Sequence, residues 1–111
     1  MSARAPGGPP GEPALTEWFV YVVRCKDGTL YTGIATDVER RLAEHRGSGG
    51  RGAKYLRGRL PITLAVSLKA GSRAAALRVE RRIKRLPRAR KEALMIDPAL
   101  LERIVEAAAS G

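Results

Sequence analysis

Hydrophobic and polar positions change period several times along this chain, and each change marks an element. The run WFVYVVR (18–24) is β-branched and aromatic, and so is TLYTGI (29–34). Lys26, Asp27 and Gly28 between them carry turn chemistry, so the two runs predict an antiparallel hairpin. From Asp37 to about His45 the period lengthens. Val38 and Leu42 recur at helical spacing, and Thr36 and Glu39 are placed to form a capping box. ITLAVSL (62–68), introduced by Pro61, predicts a third strand. Ser72 can cap a helix that runs to Leu86 and is stopped by Pro87, and a further helix covers about Arg88 to Met95. Asp97 as N-cap, with Pro98 at the first helical position, opens a last helix. The order ββαβααα predicts an α+β domain, a small three-stranded antiparallel sheet flanked by helices. Residues 1–16 (MSARAPGGPPGEPALT) can bury almost nothing and are expected as a flexible leader. That leaves 17–96 as the domain and 97–111 as a C-terminal helix.

Register within the hairpin decides whether Tyr21 and Tyr31 share a face. A two-residue loop of Asp27-Gly28 pairs Tyr21 with Ile34 and sends the phenols to opposite faces. A three-residue loop, with Gly28 left-handed as a bulge, pairs Tyr21 with Gly33 and puts both phenols on one face. Asp-Gly suits either loop. On the first helix, at about 100° per residue, Arg41 and His45 lie beside the Val38–Leu42 stripe, while Arg40 and Glu44 point away. On the helix that Ser72 caps, Ala76, Val79, Ile83 and Leu86 form the buried sector, and Arg78, Arg81, Arg82 and Arg85 form a solvent stripe. Glu80 falls at the border, one turn before Lys84. A carboxylate there is either a helix ion pair or a metal ligand.

Charge narrows the partners. The net charge is +10, and it is unevenly spread. Five cations and no acid lie between Arg46 and Arg59, and nine cations with the single acid Glu80 lie between Arg73 and Lys91. Such a field attracts polyanions, nucleic acid first among them. The candidate contacts are Arg46, Arg51, Lys54, Arg57 and Arg59 on a Gly-rich loop, and Arg78, Arg81, Arg82, Lys84 and Arg85 on the helix. After Glu92 the sign reverses, so the last helix suits either a basic partner or the chain's own basic face. One cysteine, Cys25, and one histidine make neither a disulfide nor a zinc ligand set. No apolar run approaches the ~20 residues of a membrane span. The opening residues lack a secretory pattern, which points to a cytoplasmic setting.

FVY (19–21), Tyr31 in YTG ten residues on, Arg41 and His45 on the next helix and then Glu80 together resemble the GIY-YIG nuclease superfamily. The similarity runs from about Trp18 to Met95, and the stretch from Trp18 to His45 most resembles the small stand-alone bacterial, YhbQ-like branch. The resemblance implies that Tyr21, Tyr31, Arg41, His45 and Glu80 are catalytic. It implies that Glu80 holds one divalent metal, Mg²⁺ or Mn²⁺, and that a phenol orients or deprotonates the attacking water, with Arg41 and the metal favouring its phenolate. The implied activity is metal-dependent endonucleolytic hydrolysis of phosphodiester bonds, on DNA ahead of RNA, selective for structure rather than sequence, in DNA repair or recombination. A protein partner would supply any finer specificity. The implied geometry needs both tyrosines on one face and therefore the three-residue loop. The chain departs from the pattern in having no asparagine to follow the metal glutamate, in having Ile34 where some members have lysine, and in lacking the glycine of the first motif. The alternative is a non-catalytic nucleic-acid-binding module on the same fold.

Overall fold

The computed structural model describes residues 16–46 and 61–110. The expected leader up to residue 15, and the candidate contacts Arg51, Lys54, Arg57 and Arg59, lie outside the described residues. The hairpin consists of β1 (Trp18–Cys25) and β2 (Leu30–Ala35). The Gly28 amide donates to the Cys25 carbonyl at 2.9 Å and the Cys25 amide to the Thr29 carbonyl at 2.8 Å. Gly28 has φ 87°. This is the three-residue loop closed by a glycine bulge, so Tyr21 pairs with Gly33 and Val23 with Tyr31. Both tyrosines stand on one face.

β3 (Ile62–Gly71) extends three residues past the expected end, because Lys69 and Gly71 still pair with Phe19 and Trp18. The sheet is antiparallel with order β2-β1-β3. β1 is therefore the middle strand, covered on both faces, and this accounts for its nearly unbroken apolar run. One face, with Val20 and Val22, packs on Ala76, Val79 and Ile83 of α2 (Arg73–Lys84), Leu94 of α3 (Arg88–Ile96) and Leu101 of α4 (Pro98–Ser110). The other face, with Tyr21, Val23 and Cys25, packs on Leu42 of α1 (Val38–Arg46) and on Ile62.

The helix ends show which expectations gave way. At α1 the cap is Asp37, whose Oδ1 accepts from the Arg40 amide at 3.1 Å. The expected Thr36–Glu39 capping box is displaced by one residue, and the third helical position is then Arg40, which cannot return the bond. Ser72 caps α2, accepting from the Ala75 amide at 3.1 Å. That helix stops at Lys84 and not at Leu86, as expected from the residue before a proline being disfavoured in the helical region. Asp97 accepts from the Ala99 amide at 3.1 Å, with Pro98 first in α4. The acidic α4 folds back on the domain, and Arg78 Nε donates to the Ala108 carbonyl at 3.0 Å. Arg78 thus leaves the expected solvent stripe, because it satisfies a carbonyl near the end of α4. No helix among the described residues is long and apolar enough to cross a membrane.

An ionic latch ties the hairpin turn to α3. Arg24 reaches Glu92 through two nitrogens, at 2.7 and 3.2 Å. Arg88 donates to Glu92 at 3.0 Å and to the Gly28 carbonyl at 2.7 Å. The two guanidinium groups hold the Glu92 carboxyl well below the usual carboxylate range, at about 2.

Candidate active site

Two tyrosines, a histidine and an arginine converge where α1 crosses the hairpin. Tyr21 is 1% exposed, and its ring lies across Gly33. A Cβ on Gly33 would stand 2.5 Å from the Tyr21 hydroxyl oxygen and 2.6 Å from Cζ. The glycine of the YTG stretch is thus the space that the opposite phenol occupies. Beyond it, the Tyr21 hydroxyl meets His45 Nε2 at 3.2 Å. His45 is 2% exposed, and its ring stands edge-on to Tyr31 with centroids 6.0 Å apart. Its Nδ1 is buried and has no hydrogen-bond partner among the described residues.

Electrostatics follow from this burial. Burial pushes the Tyr21 phenol up to about 12; Tyr31 beside it adds to the rise, and the Arg41 guanidinium opposes it without prevailing. Tyr21 is therefore a neutral phenol at neutral pH: Arg41 favours its phenolate, and burial outweighs that pull. His45 is held below the ordinary imidazole value, chiefly by burial and then by Arg41, so its ring is neutral too. The buried pair is a neutral hydrogen bond beneath the site, while Tyr31 and Arg41 are half-buried and reach its surface.

Arg41 is held from the solvent side. Its Nη1 donates to Glu44 Oε1 at 3.1 Å, and Arg40 approaches the other oxygen of that carboxylate at 3.5 Å. Glu44, expected to point away, instead bridges the two arginines. Its spacing of three and four residues from them was the signal available in the sequence. Glu80 is half-buried on α2 and near enough to Tyr21 to raise its phenol slightly. Its Oε2 pairs with Lys84 Nζ at 3.3 Å, so the helix ion pair is present. Among the described residues no cluster of three or more His, Cys, Asp or Glu could hold a metal. A lone carboxylate beside phenols is a hard-oxygen donor, and it fits an ion that keeps most of its waters.

The basic candidates divide. Arg81 and Arg82 are exposed on α2 and Arg85 at its C-cap, while Lys84 is exposed but engaged with Glu80. Arg46 Nη2 donates to the Ile62 carbonyl at 3.1 Å, tying the end of α1 to the start of β3. Two residues overlooked in the sequence share the catalytic face. Ser67 pairs with Tyr21 and Lys69 with Phe19, and both are exposed. Alternation alone could not find them without the β1–β3 register. Beside Arg41 an open pocket is lined by Trp18, Ile34 and Ala35, by the arginines Arg40, Arg41 and Arg73, and by the carboxylates of Asp37 and Glu44.

Comparison with known proteins gives the chain its family. The family model described as the GIY-YIG catalytic domain matches residues 17–93. A UPF0213 protein of Cronobacter sakazakii is 50% identical over 93 residues, spanning 84% of this chain and 96% of the relative. The UPF0213 protein YhbQ of Escherichia coli is 46% identical over 91 residues, spanning 82% of this chain and 89% of the relative. The solution NMR structure of UPF0213 protein BH0048 from Bacillus halodurans is 45% identical, with a TM-score of 0.46 over 70% of this chain and 81% of that one. With the tyrosine pair, Arg41 and His45 gathered on one face and the match covering nearly the whole domain, the chain belongs to the GIY-YIG family, in its small single-domain, YhbQ-like branch.

Proposed function

We propose that the protein is a metal-dependent endonuclease that hydrolyses phosphodiester bonds in DNA, selecting structure rather than sequence, in cytoplasmic DNA repair or recombination. The observation that carries this reading is the common face of Tyr21, Tyr31 and His45 with Arg41 at its mouth. In this reading the scissile phosphate meets the half-buried groups. Arg41 clamps two non-bridging oxygens, a bidentate fit that lysine does not reproduce. Tyr31 hydrogen-bonds the attacking water and orients it. Tyr21 and His45 lie beneath and act as positioning residues, keeping Arg41 and the Tyr31 ring in place. Glu80 would hold the divalent ion, Mg²⁺ or Mn²⁺, exchanging its ion pair with Lys84 for it. When bound, such an ion would supply Lewis-acid stabilisation of the leaving oxygen. The exposed Arg81, Arg82 and Arg85, with the loop arginines and Lys54, attract the flanking backbone.

A second reading, a nucleic-acid-binding module without catalysis, draws support from Glu80 being ion-paired and from the absence of any asparagine in the chain. A nicking assay on single-stranded, duplex, flap and four-way-junction DNA with Mg²⁺, Mn²⁺ or EDTA separates the two. The nuclease cuts only with metal, and Glu80→Ala lowers the rate by about 10²–10³, the scale for losing one charge-stabilising group, while binding survives. Arg41→Lys falls similarly. Tight binding with no cutting in either metal would leave the binding module standing.

A further inference from the structure

The open pocket beside Arg41 does something the reaction at Tyr31 and Glu80 does not require. Its lining contains Trp18, and the Arg73 guanidinium carbon lies 5.6 Å from the centre of that ring. A guanidinium on an indole is a cation–π contact, and its outer side is a planar, delocalised surface. The lining carries two more arginines, Arg40 and Arg41, which share the single carboxylate of Glu44. Arg73 makes no ion pair with any described acid. Asp37 lines the pocket beside Glu44, so the three guanidinium groups face two carboxylates and one positive charge is left over. A planar stacking surface, apolar side chains and that surplus charge are the chemistry that takes a nucleobase and its phosphate together.

Position on α2 ties this pocket to the site. Arg73 and Glu80 are seven residues apart and so lie on the same side of the helix, about 10 Å apart along its axis. A strand with its scissile phosphate at Arg41 and Glu80 has an adjacent nucleotide at the Arg73 end. We infer that the pocket between the starts of α1 and α2 is the subsite for a nucleotide flanking the scissile bond, with its base stacked on Arg73 over Trp18 and its phosphate held by Arg40. This inference takes its substrate class from the nuclease reading, yet it concerns binding alone.

Trp18 is the only tryptophan in the chain, so its emission reports this pocket directly. The probe is a single-stranded thymidine tetranucleotide, titrated into the full-length protein in EDTA. The expected result is saturable quenching, with affinity lowered about tenfold in Arg73→Ala, since stacking of one base contributes roughly 1–3 kcal/mol. Arg73→Lys keeps the charge and removes the planar surface, so it should lose most of that affinity while its melting temperature stays near wild type. A tetramer of abasic deoxyribose phosphates should quench little. Equal quenching by the abasic probe, or an Arg73→Lys affinity equal to wild type, would overturn base stacking. Normal nicking with no tetranucleotide-dependent quenching would remove the subsite and leave the nuclease. Quenching that depends on Arg73 in a protein that cuts nothing would keep the subsite and remove the nuclease.

Discussion

Replacing Gly33 with alanine probes the most tightly built feature of the site. The new methyl would lie 2.5 Å from the Tyr21 hydroxyl oxygen and 2.6 Å from Cζ, well inside van der Waals contact, so the ring must move. Overpacking of this kind costs about 1–3 kcal/mol. Moving the phenol also breaks its 3.2 Å bond to His45, a ring whose other nitrogen already has no partner among the described residues. An unsatisfied buried polar group adds about 1–3 kcal/mol. Taking about 3 kcal/mol for the sum, at roughly 4–8 °C per kcal/mol for a domain of this size, thermal denaturation followed by circular dichroism should show Tm falling by roughly 12–24 °C. Trimming the opposing ring distinguishes collision from any other cause. Tyr21→Val in the Gly33→Ala background should cost less than the sum of the single changes, whereas Tyr21→Phe should not relieve the strain, because Cζ remains. Gly28→Ala is the internal contrast. There a Cβ meets nothing within 4 Å, but φ is 87°, so the cost is about 1–2 kcal/mol of backbone strain that no change at Tyr21 recovers. A Gly33→Ala protein within about 1 kcal/mol of wild type would refute the reasoning. So would strict additivity with Tyr21→Val.

Two further outcomes follow from the charges. Glu92 has its carboxyl depressed to about 2 from an ordinary 4.5, so its contribution to stability is present above the ordinary value and is lost as pH falls toward 2. Urea denaturation from pH 5 down to pH 2 should show that loss in wild type and a flatter profile in Glu92→Gln; identical slopes would dissolve the latch. Tyr21 has the opposite sign. Its phenol is raised to about 12, so its contribution is full below 10 and is lost as pH rises toward 12, and the ultraviolet difference titration between wild type and Tyr21→Phe should lack a phenol ionising near 10.

Much of this was legible in the residues, and the failures share a cause. The hairpin, the order of elements and the grouping of Tyr21, Tyr31, Arg41 and His45 follow from period, turn chemistry and family resemblance. The loop itself needed the resemblance, since Asp27-Gly28 accommodates either register. What went astray depended on contacts between distant segments. Arg78 looks like one more cation on a basic helix until α4 brings the Ala108 carbonyl against it. The extra length of β3 is set by pairing with Phe19 and Trp18, not by its own alternation. The expectation that Arg41 favours a phenolate left open which tyrosine it concerned; at Tyr21 burial, which depends on the packing of distant segments, is the larger effect. The Asp37 cap is the exception, a purely local competition in which a residue one place nearer the helix than Thr36 took the bond.

The central position of β1 carries a consequence for how this site can move. Its backbone is paired on both edges and its side chains are buried on both faces, with Tyr21 among the largest fully buried side chains. Strands so enclosed release their amides only when the whole domain opens. The floor of the candidate active site is therefore expected among the slowest-exchanging segments, since displacing Tyr21 means opening the sheet. Any adjustment on meeting a substrate falls to α1, which lies against one face of the hairpin and carries Arg41 and His45. The site is an immobile floor beneath an adjustable wall.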